Sequence, residues 1–136
     1  MSYIANESRY LTLIHQFLNS EVDVEAFQRE FFFMWKADRD EEYAKRDTWP
    51  ERYDLQLVDA HSRGEITSEE FEIKWVELFG YAEYRDLREM LDRVFTACDV
   101  FDPKPESEFD INEAQLRTEV AGNLATYQAA KANQRS

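Results

Sequence analysis

Acids carry most of the chemistry this chain is able to do. It holds 29 Asp and Glu against 16 Lys and Arg, two histidines and one cysteine in 136 residues, for a net charge of −13. Glu69-x-x-Glu72 followed by Glu89-x-x-Asp92 has the form E-x-x-E…E-x-x-D. On facing helices such a set would suit Mg²⁺, which takes oxygen ligands. In a chain this acidic, however, the spacing also arises by chance, and acids at i, i+3 usually mark a solvated helix face. No basic cluster for phosphates accompanies it. His15 and His61 lie in no E-x-x-H or H-E-x-x-H arrangement, so nitrogen-ligated zinc and di-iron sites are excluded. Cys98 sits at helical spacing among apolar residues, which argues for a small core residue and not a nucleophile. His15 borders an apolar stripe and is expected to be partly buried, whereas His61 falls in the last turn of a helix, where a cation is favoured.

The second acidic constellation is a turn. Asp99, Asp102, Glu106, Glu108 and Asp110 alternate with Phe101 and Phe109 around Pro103 and Pro105. Neither proline is accepted in a helix interior, so one helix must stop near Asp102. The next begins at Ile111-Asn112-Glu113-Ala114-Gln115-Leu116, with Asn112 as N-cap, Gln115 as its capping-box partner and Ile111 and Leu116 as a hydrophobic staple. A third run, Asp38, Asp40, Glu41 and Glu42 with Tyr43, lies within KADRDEEYAKRD. It reads either as a solvated helix face or as a second acidic contact surface.

The elements that position these groups are helices. Asn6 or Ser8 caps a first helix to about Asn19, with Tyr10, Leu11, Ile14, Phe17 and Leu18 on one side. Asp23 caps a second, lined by Val24, Phe27, Phe31, Met34 and Trp35; Phe32 and Phe33 widen that stripe and are expected to be central. The pairs Glu41/Lys45 and Glu42/Arg46 let this helix continue into the charged run. Thr48-Trp49-Pro50-Glu51 reads as a new start and Gly64 as its end. Thr67 with Glu70 opens a helix that Gly80 closes, another runs from about Tyr84 to Asp99, and the last from Glu113 to about Ala130, leaving 130–136 frayed. No segment alternates with period two. The expected class is all-α, an antiparallel bundle of about five to six helices in a single domain over residues 1–136.

The turn and the helix after it also resemble a known family. An acid, an aromatic, an acid-Pro turn, an acidic spacer and D-I-[ND]-E-x-x-L-R-x-E-V are similar to the C-terminal part of colicin D-type immunity proteins. Here the likeness runs through Asp99, Phe101, Asp102, Pro103, Asp110, Ile111, Glu113, Leu116, Arg117, Glu119 and Val120. Lys104 stands where that family commonly has an acid, and residues 36–65 are longer than in its compact members. The resemblance implies a helical, non-enzymatic inhibitor that occludes the active site of a cognate toxin, a basic nuclease acting on tRNA. It makes Asp99 and Asp102 the leading contacts, extended by Glu106, Glu108 and Asp110, with Phe101 as a possible anchor. The carboxylate set Glu69, Glu72, Glu89 and Asp92 resembles instead the magnesium site of MazG-type nucleotide pyrophosphohydrolases, the lesser reading, and an acidic adaptor is a third.

Charge and composition fit the first reading. A net charge of −13 disfavours direct binding to nucleic acid or an anionic membrane and suits a basic partner. No run approaches the ~18 apolar residues of a membrane span. The start MSYIANESRY lacks a basic region followed by an apolar run, and a single cysteine fits a reducing compartment. A bacterial cytoplasmic protein without a cofactor is the expectation; oligomeric state is left open by Phe32 and Phe33.

Overall fold

The computed structural model describes residues 2–79 and 82–134, and the regular elements among them are all helices. A single turn α1 (Ser2–Ala5) precedes six longer helices: α2 (Glu7–Leu18), α3 (Val24–Asp47), α4 (Tyr53–Ser62), α5 (Ser68–Phe79), α6 (Ala82–Asp99) and α7 (Glu113–Gln134). The all-α bundle expected from sequence is what forms.

Helix starts follow local chemistry where no stronger partner intervenes. The Asp23 carboxylate accepts from the Ala26 amide at 2.7 Å. Thr67 and Glu70 exchange both capping-box bonds, at 3.0 and 3.2 Å. Asn112 and Gln115 do the same at 2.9 and 2.8 Å. Two expected caps fail for identifiable reasons. Asn6 precedes α2 but makes no cap bond; its amide donates instead to Asp38 Oδ1 at 2.8 Å. Thr48 does not open a helix but closes α3, its hydroxyl donating back to the Lys45 carbonyl, so α4 begins only at Tyr53. Gly64 ends α4 with φ +74°, its amide bonding the His61 carbonyl while the Glu65 amide bonds Ala60. The corner after α2 has the same double bond pattern, but there Ser20 takes the left-handed position, at φ 60°. At the other end of the chain α7 runs past Ala130 to Gln134. The expected closing glycine, Gly80, lies outside the described residues.

Packing is antiparallel. Phe17 stacks on Phe27 at 4.2 Å, closing the α2–α3 hairpin. Gln28 donates to the Cys98 carbonyl at 2.9 Å near one end of α3, and Glu42 pairs with Arg88 near the other, so α3 and α6 run in opposite directions. Arg117 at the start of α7 reaches the Phe17 carbonyl, and Tyr127 and Lys131 near its end reach Glu7. The core is drawn from α2, α3, α6 and α7, with Tyr3 of α1 fully buried beside them. Helices α4 and α5 form a hairpin against α6; His61 of α4 stacks on Phe71 of α5 at 4.9 Å, and Phe71 stacks in turn on Trp75 of the same helix at 5.4 Å. Two aspects of the expected burial are corrected: His15 faces solvent and Phe33 is 71% exposed, whereas Phe32 does turn inward, to Phe95 at 5.1 Å.

Candidate interaction surface

The acidic turn is a closed loop. The Ile111 amide donates to the Val100 carbonyl and the Asp102 amide to the Ile111 carbonyl, both at 2.9 Å, so the chain leaving α6 is clamped to the chain entering α7. Between the clamps the side chains fold on their own backbone. Asp102 Oδ1 accepts from the Lys104 amide at 2.8 Å, Asp110 Oδ2 from the Glu106 amide at 3.3 Å, and Ser107 Oγ from the Phe109 amide at 3.1 Å. Asp99, Glu106 and Glu108 face solvent, while Asp102 and Asp110 are half-buried with one oxygen of each committed. Phe101 is half-buried, packed against the core, and the exposed aromatic of the turn is Phe109, at 77%.

The fold adds acids that sequence reading did not group with these. Gln28 bonded to Cys98 and Arg117 bonded to Phe17 bring the α2–α3 corner to the same end of the bundle as the turn. Glu21, Asp23 and Glu25 of that corner are exposed. Their signal in the sequence was only the helix start that Asp23 caps; nothing local tells which other loop it will adjoin.

The charged run of α3 divides. Asp40 and Glu41 are exposed, but Asp38 and Glu42 are each 3% exposed and belong to the interior. This corrects their expected place on a contact surface. Asp38 accepts from the Tyr10 hydroxyl at 2.6 Å as well as from Asn6. Burial and that bond to a carboxylate push the Tyr10 hydroxyl far above its ordinary range. Glu42 takes both oxygens to Arg88, at 2.8 and 3.0 Å, and also pairs with Arg46. Arg88 continues to Asp92 at 3.1 Å, which also accepts from the Trp35 indole at 3.2 Å.

The carboxylates of the E-x-x-E…E-x-x-D pattern do not converge. Glu72 lies 3.5 Å from Arg85, Glu89 bonds Arg93 at 2.6 Å, and Asp92 bonds Arg88. Among the described residues no group of three or more His, Cys, Asp or Glu is placed to hold a metal ion. Glu89 and Asp92 instead border an open cleft of about 650 Å³ between α5, α6 and α7. Cys98 is fully buried, and desolvation with the neighbouring Asp99 charge raises its thiol to about 12, far from a thiolate nucleophile at neutral pH. No helix of the described residues is long and apolar enough to cross a membrane.

Residues 7–50 match the family model described as bacterial self-protective colicin-like immunity. The matched segment is α2, the acidic corner and α3, not the 99–120 stretch whose pattern first suggests the family. No curated protein and no solved structure matches the chain. The chain is thus similar to colicin-like immunity proteins over residues 7–50, the two helices that meet at the acidic end of the bundle.

Proposed function

We propose that this chain is a non-enzymatic immunity protein of the bacterial cytoplasm that binds a cognate toxin, a basic nuclease domain, and masks its substrate groove with carboxylates. The family match supports a bacteriocin-immunity role. The observation that carries the finer reading is the clamped turn: Asp102, Glu106, Glu108 and Asp110 sit on a loop whose two ends are bonded together, and Asp99 is the last residue of α6 beside it. Glu21, Asp23 and Glu25 stand at the same end, with Arg29, Lys104 and Arg117 as basic residues near them. A nuclease groove is built to hold phosphates, so it is basic, and a rigid array of acids complements it. Complementary fields speed encounter, and the pairs that become buried hold the complex. Asp40 and Glu41, farther along α3, contribute to the field that steers the approach.

Calorimetric titration against the toxic domain encoded beside this chain, at two salt concentrations, tests the reading. Nanomolar binding that weakens with salt is expected. Reversing Asp99 and Asp102 to Lys should weaken it by at least 100-fold while helicity is retained. Wild-type affinity in that variant would place the interface on another face. Absence of binding by the unaltered chain would reject the immunity role and leave the acidic adaptor.

A further inference from the structure

We infer that the cleft between α5, α6 and α7 receives an apolar side chain, aromatic or long aliphatic, that the toxin domain presents beside its basic residues. The inference rests on the immunity reading above and names the anchor which that reading leaves unspecified.

At about 650 Å³ the cleft falls within the range of ligand-sized pockets, roughly 300–1,000 Å³. Its walls are Trp75 and Val76 from α5, Ala97 from α6, and Val100 and Ile111 at the two ends of the turn. Glu119 adds a carboxylate to its border, and the arginines there are each paired with an acid. Arg85 faces Glu72 and Asp86, Arg88 faces Asp92, and Arg93 faces Glu89. Among the described residues each arginine of the border faces an acid, which argues against a nucleotide occupant, and the apolar walls favour an uncharged group. The bond from Ile111 to the Val100 carbonyl is both the clamp of the acidic turn and part of the cleft wall. A partner whose Lys and Arg side chains lie on Asp99, Glu106 and Glu108 thus has this opening next to it. Charge complementarity brings a basic protein to this end, and an adjoining apolar pocket with a polar border is where binding energy concentrates in such complexes.

The two contributions separate kinetically, because steering acts on association and a desolvated anchor acts on dissociation. Thr96 and Asn123 line the cleft from opposite helices, and Thr96 is exposed, so Thr96→Trp and Asn123→Trp each fill it from a different wall. Binding of the adjacent toxin domain is followed by stopped flow and surface-immobilised dissociation, for the unaltered chain and for each variant that keeps its circular dichroism and melting temperature. Both fillings should raise the dissociation rate at least 50-fold, while the association rate and its salt dependence stay within twofold. Dissociation within threefold of the unaltered chain, in either folded variant, overturns the anchor and leaves the immunity reading intact. Failure of the unaltered chain to bind the toxin removes both. Self-association of the unaltered chain that the fillings abolish would assign the cleft to a second copy, and would also overturn the proposal.

Discussion

Glu42→Gln separates the two roles that α3 carboxylates were open to, contact with a partner or support of the fold. The substitution keeps volume and shape but removes the charge that faces Arg46 and Arg88. In the native chain the Glu42 side chain is 2% exposed, Arg46 13% and Arg88 23%, so water replaces little of what is lost. Breaking a buried pair by neutralising one member costs about 3–5 kcal/mol, because the remaining charge stays desolvated. Arg88 keeps Asp92, a half-buried neighbour, which brings the expected loss to the lower end, about 3 kcal/mol. For a chain of 136 residues that corresponds to a fall in melting temperature of about 10 °C. Thermal and urea unfolding followed by circular dichroism would measure it, with Glu41→Gln as the control. Glu41 is exposed and its loss should stay within about 0.5 kcal/mol. Affinity of folded Glu42→Gln for the toxin domain should be unchanged. A variant with native melting temperature would refute the interior placement of this carboxylate and restore it to the candidate surface.

Two backbone positions predict effects of opposite sign. Ser20→Gly should stabilise the chain by about 0.5 kcal/mol, because a serine at φ 60° carries a steric penalty that glycine escapes. Gly64→Ala, at φ +74° with nothing within 4 Å of the added methyl, should destabilise it by about 1 kcal/mol through backbone strain alone; urea midpoints compare the two. Alkaline pH should unfold the chain through Cys98. Its folded thiol is raised to about 12 against an ordinary value of 9.0, so the unfolded chain sheds the proton first. Stability is full below about pH 9 and falls by about 1.4 kcal/mol per pH unit above it, and Cys98→Ala should remove that slope between pH 9 and 10. Tyr3 and Tyr10, also raised by burial, add to the loss at higher pH.

What the sequence conveyed and what it hid follow one division. Helix starts at Asp23, Thr67 and Asn112 were legible because both partners of each bond lie within three residues. Asn6 and Thr48 misled for the same reason inverted: Asn6 meets a partner 32 residues away, and Thr48 has a competing carbonyl behind it. The core stripe of α3 was read as far as Trp35 and stopped there because the next positions are charged. Yet Phe31, Trp35, Asp38 and Glu42 recur at the spacing of one face, and that face stays buried to Glu42. The period was visible, but Tyr10 and Arg88, which make burial of these acids tolerable, come from other helices. For the candidate surface, the turn could be read as a unit, whereas its neighbours Glu21, Asp23 and Glu25 and the cleft beyond Val100 depend on how helices pack.

The clamp at the base of the turn is made by main-chain atoms, through Val100, Asp102 and Ile111. Every residue type supplies the accepting carbonyl, and every type but proline supplies the donating amide. Residues 103–110 are consequently decoupled from the architecture that presents them, since the bundle is closed without reference to their side chains. A lineage under pressure to follow a changing adversary is thereby able to rewrite this loop wholesale while the scaffold stays constant.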